Sequence, residues 1–312
     1  MFIHPQVKAF LDGIPAADSA PPIEEQRVAF SGLWQSLAPP AATGVVRSEA
    51  EFEVEGGTIP ALVYTPEHVP NGEKLPIVLF LHGGGCCTLR PEDFDATSSL
   101  LAKDANAVVV VPAFRQAPEN PFPIPLDDCV AVYRQLLDDS LALGTDTSRI
   151  VVAGDSGGGY LAAALCLDVR DAGLAQPLAQ ILIYPMLDMA SKSPSRVSRD
   201  YFLNDAGLAG VIAMHAGDDL LNPRVSPLRA VDLSGLPRAY VVATSLDPLE
   251  DEARAYVERL RSAGVEASWF VYEGMIHGFF SFGGIISEGN DCVAHVASML
   301  RTTFRRSRAE HL

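Results

Sequence analysis

"SRIVVAGDSGGGYLAAALCLDVRDAG", Ser148 to Gly173, passes from an apolar run through a glycine-rich turn into a helical pattern. At the junction stands Gly154-Asp155-Ser156-Gly157-Gly158, a Gly-x-Ser-x-Gly motif between strand and helix. This is the context of a nucleophile elbow. A sharp turn forces unusual backbone angles on the serine, so its neighbours must be small. The same turn lifts the hydroxyl to a helix N-terminus, where developing negative charge is stabilised. A dinucleotide site needs Gly-x-Gly-x-x-Gly after the first strand of a βαβ unit, and "GDSGGG" does not fit that spacing.

A serine nucleophile needs a base, and the base needs an orienting acid. Of the seven histidines, His4 and His311 are terminal, His68 lies in a turn and His295 on the last helix. His215 falls in an insertion, and His82 precedes a run of glycines. His277, in "EGMIHGFF", follows the last strand pattern, where a loop brings an imidazole over the elbow. The acid is expected at the end of an earlier strand, and "VVATSLDPLEDE" supplies Asp247. Ser156, Asp247, His277 is the chain order of an α/β-hydrolase triad. Asp155 adjoins the nucleophile, but adjacent side chains on an elbow diverge, so it reads as a structural hydrogen-bonding group. Glu250, Asp251 and Glu252 open a helix and suit its dipole.

Outward from this motif the chain alternates strands and helices, as a layered α/β domain does. "EAEFEVEGG" and "IPALVYTP" pattern as an antiparallel pair. "LPIVLFL", "NAVVVVP", "SRIVVAG", "AQILIYP" and "RAYVVATS" are the continuous apolar runs of buried parallel strands, and "ASWFVYEG" closes the series. The expected fold is an α/β-hydrolase with a mostly parallel central sheet of about eight strands, flanking helices and a helical cap. Residues 46–189 and 226–312 form the catalytic core. Residues 1–45 read as two amphipathic cap helices and 190–225 as a cap insertion, because insertions at strand ends commonly build lids.

Composition excludes several alternatives. Net charge is −16, with no basic block beyond "RRSR" near the C-terminus, so nucleic-acid binding is not expected. No apolar run is long enough to span a membrane. "MFIHPQVKAFLDGIP" lacks the layout of a secretory signal, and a cytoplasmic location is expected. The five cysteines are scattered without a Cys-x-x-Cys, which speaks against a metal site, and no cofactor is called for.

"LHGGGCCTLR", Leu81 to Arg90, together with "GDSGGG", "FRQAPENPFPIPLDD", "ILIYPMLD" and "NPRVSPL", resembles the hormone-sensitive-lipase family of α/β-hydrolases. The similarity runs from about residue 50 onward, and "HPQVKAFLD" is similar to a family cap helix. The resemblance implies that backbone N–H groups of Gly83, Gly84 and Gly85, with Gly157, form the oxyanion hole. It also implies that His82 braces that loop and that Glu119 is a structural residue nearby. The family usually has Ala after the nucleophile, where this chain has Gly157. It also commonly has an aromatic after the three glycines, where this chain has Cys86.

The function expected is a serine carboxylesterase acting on small esters of short-to-medium acyl chain through an acyl-enzyme on Ser156. The alternatives are an acyltransferase or lactonase using the same triad, or a non-catalytic binding module on the same fold. Phe30, Trp34, Phe202, Leu203 and Met214 are expected to line the pocket, with Cys86 and Cys87 shaping it. Replacing both cysteines is therefore expected to change chain-length preference. Relatives of this family often pair through the last strand and its neighbouring helix, which suggests a homodimer.

Overall fold

The computed structural model describes residues 1–14, 21–69, 73–139 and 143–310, so His311 lies outside the described residues. The strands are β1 (Val45–Val54), β2 (Gly57–Pro66), β3 (Leu75–Leu81), β4 (Val108–Pro112), β5 (Thr145–Asp155), β6 (Gln180–Ile183), β7 (Ala239–Leu246) and β8 (Ala267–Ile276). They form one sheet in the order β1-β2-β4-β3-β5-β6-β7-β8. β2 runs antiparallel to β1 and β4, and the strands from β4 to β8 are parallel. The helices are α1 (Pro5–Asp12), α2 (Ile23–Leu37), α3 (Asp95–Ala105), α4 (Ile124–Leu137), α5 (Gly157–Asp171), α6 (Pro194–Ser198), α7 (Asp205–His215), α8 (Glu250–Ser262) and α9 (Ser287–Glu310).

The period of two along each strand divides the core. In β3, fully buried throughout, Ile77, Leu79 and Leu81 face the cluster shared with α4, α5 and α8. Val78 and Phe80 face the opposite cluster, built with α3 and α9. Both faces are covered, which is why the parallel strands read as unbroken apolar runs. Two elements exceed their sequence patterns. β1 starts at Val45, because its ladder with β2 continues to the Val45–Pro66 pair. β8 runs past Gly274 to Ile276, so it delivers His277 directly from its end.

The segment between β6 and β7 carries α6 and α7, capped by the Ser193 and Asn204 side chains. It is tied to the core by a buried ion pair, in which Arg196 Nη2 donates to Glu252 Oε2 at 2.9 Å. Glu252 Oε1 also accepts the Leu187 N–H at 2.7 Å. Glu252 therefore does more than complement the α8 dipole: it fixes the chain leaving β6.

The junction of β5 and α5 is the tightest point of the fold. Ser156 has φ 55° and ψ −119°, a backbone state costing about 1–3 kcal/mol for a non-glycine residue. Its N–H donates to Ile183 O at 2.8 Å. A Cβ on Gly158 would stand 1.9 Å from Leu81 O, and one on Gly154 would stand 2.3 Å from Gly158 O. These are close backbone approaches that only glycine permits. Gly158→Ala is expected to destabilise the protein by about 3 kcal/mol, because backbone on both sides must shift. A urea midpoint indistinguishable from wild type would show that the junction is not tight.

Candidate active site

Three elements deliver the triad. The elbow presents Ser156, the end of β7 leads into Asp247, and the end of β8 leads into His277. His277 Nε2 lies 2.7 Å from Ser156 Oγ, and His277 Nδ1 lies 2.7 Å from Asp247 Oδ2. Asp247 is fully buried. Its Oδ1 accepts the Leu249 N–H at 2.9 Å, and Thr244 Oγ1 donates to Oδ2 at 3.3 Å. These bonds orient the carboxylate toward the imidazole, as a base-orienting acid requires.

The glycine loop follows β3 and folds over the elbow. Gly84 O accepts the N–H groups of Cys87 and Thr88 at 3.0 and 2.9 Å, which closes a turn. Gly85 (φ 62°) lies against α7, where a Cβ would stand 2.2 Å from Val211 Cγ1. A Cβ on Gly157 would stand 2.7 Å from Gly85 Cα and 2.9 Å from Gly85 N, so loop and helix start meet backbone to backbone. The absent Cβ at Gly157 thus marks a close contact between the loop and the start of α5. Among the described residues, the N–H groups of Gly84, Gly85 and Gly157 have no protein acceptor. The Gly83 N–H differs, because it donates to Asp155 Oδ1 at 2.8 Å. That bond removes Gly83 from the set expected to face an oxyanion.

Asp155 and His82 hold the loop from beneath. Asp155 is buried, and burial pushes its carboxyl up to about 7, opposed by His277 and by the Gly83 N–H. His82 is fully buried and stacked on Phe114, with ring centroids 4.4 Å apart. Burial lowers its pKa to about 4, so the ring is neutral and Nδ1–H donates to Gly83 O at 2.8 Å. His82 therefore braces the loop and does not approach the serine. Glu119 pairs with Arg27 of α2: Arg27 Nη1 and Nη2 donate to its two carboxylate oxygens at 2.7 and 2.6 Å.

A cavity of about 190 Å³ opens over Ser156 and His277. Phe30, Trp34, Phe202 and Leu203 line it. Met186, Leu89 and Val211 also line it, and periodicity did not single them out. Met214, Cys86 and Cys87 do not line it. At Cys86 the backbone is left-handed (φ 59°), which sends the thiol into the core cluster holding Tyr160 and Cys129. Cys87 is buried with Sγ 3.8 Å from Val211 O, and burial pushes its thiol up to about 12. A second cavity of about 460 Å³, lined by Arg27, Arg90 and Phe114 among others, lies behind the loop and does not include Ser156. All five cysteines are free, and among the described residues no group of three or more His, Cys, Asp or Glu is placed to hold a metal ion.

A strand–elbow–helix serine, a histidine and a buried aspartate at these distances are the arrangement by which serine hydrolases on an α/β-hydrolase fold are recognised. A family model described as α/β-hydrolase fold matches residues 78–281. The ethyl acetate hydrolase of Pseudomonas putida is 31% identical, over 96% of this chain and 99% of its own. Carboxylesterase NlhH of Mycobacterium tuberculosis is 34% identical over 91% of each chain. The solved structure of a Pyrobaculum calidifontis esterase superposes with a TM-score of 0.88 at 33% identity, covering 96% of this chain and 98% of that one. An ester hydrolase from the metagenome of Lake Arreo gives 0.90 at 35%, covering 97% of this chain and 99% of that one. The chain belongs to the α/β-hydrolases, in their hormone-sensitive-lipase-like branch.

Two expectations follow from this geometry. Replacing Cys86 and Cys87 together by Ala should leave the ratio of rates on short and long esters unchanged, because neither thiol reaches the cavity. A shifted ratio would place a thiol in the cavity wall. The second concerns pH. Hydrogen bonds from Arg27 hold the Glu119 carboxyl down at about 2, below its ordinary value of 4.5. The folded state thus favours the ionised form, so the pair stabilises above about pH 4.5 and fades as pH falls toward 2. Glu119 is half-exposed, so its worth is below about 1 kcal/mol. The melting-temperature gap between wild type and Glu119→Gln should close over that window; a gap persisting to pH 2 would contradict the pairing.

Proposed function

We infer that the protein is a serine carboxylic ester hydrolase that acts on small esters with short-to-medium acyl chains. The observation that carries this reading is the chain of two 2.7 Å bonds from Asp247 through His277 to Ser156. It lies beside three backbone N–H groups with no acceptor of their own. Ser156 Oγ attacks the ester carbonyl as His277 Nε2 takes its proton. The tetrahedral oxyanion is held by the N–H groups of Gly84, Gly85 and Gly157, each worth about 3 kcal/mol in such sites. His277 then gives the proton to the departing alkoxide, leaving an acyl-enzyme. Water, deprotonated by the same nitrogen, attacks that ester, and collapse returns the proton to Ser156 and frees the acid.

The substrate class is supported by the cavity and by the relatives. About 190 Å³ walled by Phe30, Trp34, Phe202 and Leu203 suits a compact apolar group. The relatives' names specify ethyl acetate hydrolysis and carboxylesterase activity, and another, from Saccharolobus solfataricus, is an arylesterase. Neither acyl transfer, lactone opening nor a non-catalytic binding role finds support among them. In this reading α1, α2 and the 190–225 segment act as the cap. Among the described residues no helix is long and apolar enough to cross a membrane. A cytoplasmic location and a homodimer through β8 and α9 complete the proposal, the latter open to sedimentation.

The deciding experiment is a panel of p-nitrophenyl esters from acetate to laurate, with wild type and Ser156→Ala. Wild type should prefer the short members by at least about tenfold. Ser156→Ala should retain the wild-type melting curve and lose hydrolysis. Turnover by Ser156→Ala would refute the nucleophile, and a preference for laurate would refute the substrate class.

A further inference from the structure

The glycine loop is unusual in holding two non-glycine residues in the left-handed region, Cys86 at φ 59° and Leu89 at φ 52°. Each such residue costs about 1–2 kcal/mol, so the loop keeps its shape only where its polar groups are fixed from outside. Most of those contacts come from the catalytic core. Cys86 O accepts the Ala117 N–H at 2.9 Å, and Leu89 O accepts Gln116 Nε2 at 2.7 Å. Cys87 O, between the two strained residues, is held differently. Its donor is Arg27 Nε of α2, at 2.9 Å.

The same guanidinium reaches the support on which the loop rests. Arg27 Nη2 donates to Ala117 O at 3.0 Å, and Ala117 is the residue whose N–H holds Cys86. The guanidinium also forks onto the exposed Glu119 carboxylate, while its bonds to Cys87 O and Ala117 O hold its plane. One planar side chain thus grips the loop, its support and the following turn. Arg27 lies on the same face of α2 as Phe30 and Trp34, which line the substrate cavity.

We propose that Arg27 is a positioning residue for the oxyanion hole, so that the helix shaping the substrate cavity also sets the catalytic loop. It touches no reacting atom and acts through Cys87 O on the N–H groups of Gly84 and Gly85. The inference rests on the ester-hydrolase reading. It requires a guanidinium, because the point charge of a lysine can pair with Glu119 but cannot also donate in plane to Cys87 O and Ala117 O. Neutralising Glu119 removes charge while leaving the guanidinium bonds to both carbonyls.

The test compares Arg27→Ala, Arg27→Lys and Glu119→Gln by kcat and KM on one short ester, and by inactivation rate with an activated phosphonate. Both Arg27 variants are expected to lose about 10- to 100-fold in kcat and in inactivation rate, with KM changing less than about threefold. Glu119→Gln is expected to lose less than about threefold in kcat. Melting curves accompany each variant, and Arg27→Lys carries the test if Arg27→Ala does not fold. The proposal falls if an Arg27 variant keeps wild-type kcat, if its loss lies in KM, or if Glu119→Gln loses as much. It also falls if lysine restores kcat. A wild-type protein without Ser156-dependent hydrolysis would overturn the ester-hydrolase reading, whereas active wild type with unaffected Arg27 variants would overturn this inference alone.

Discussion

The contact between Gly158 and the carbonyl of Leu81 is the constraint on which the rest of the structure depends. It presses the first turn of α5 onto the end of β3, at a distance where no side chain fits. The glycine loop begins at the residue after Leu81, so one contact places the nucleophile and the loop donors against each other. The strain at Ser156 is sustained because the neighbouring glycines leave it no alternative packing, and because Ile183 O takes its N–H. The ends of β7 and β8 then need only reach the same edge of the sheet, which parallel strands do by construction.

The polar groups beneath the loop follow from that closeness. A loop held this near a buried sheet end must satisfy its own N–H and C=O groups. Asp155 takes the Gly83 N–H and His82 takes the Gly83 carbonyl. Burial keeps His82 neutral, so the imidazole serves as a hydrogen-bond donor without placing a cation beneath the loop. The first glycine of the three thus has both its N–H and its carbonyl engaged, and the loop N–H groups without a protein acceptor among the described residues begin at Gly84.

Much of this was readable in the amino-acid order because the signals are local. Gly-x-Ser-x-Gly after a β-branched run specifies an elbow, and "LPIVLFL" matches β3 residue for residue. Asp247 and His277 come together because each directly follows a strand end, so topology supplies the proximity that sequence distance hides. The fork between Arg27 and Glu119 lies 92 positions apart in the chain, and the Arg196–Glu252 pair 56 apart. Neither leaves a local trace, since a charged residue on an amphipathic helix is ordinarily solvated. Arg27 does precede Phe30 and Trp34 at spacings of three and seven, which marks the shared face but not the partner. Cys86 turns away from the cavity through its left-handed backbone, and Cys87 packs its thiol toward Val211 O, so neither lines the cavity.

The backbone contact between Gly85 and Gly157 also bears on how such a chain can change. An alanine at position 157 would carry a methyl group 2.7 Å from Gly85 Cα. On its other side a Cβ at Gly85 would stand 2.2 Å from Val211 Cγ1 of α7, so side chains are shut out at both glycines. A side chain added at 157 would press on the loop, and one added at 85 would press on α7, so the three positions are mechanically coupled although Val211 lies more than fifty positions beyond the elbow.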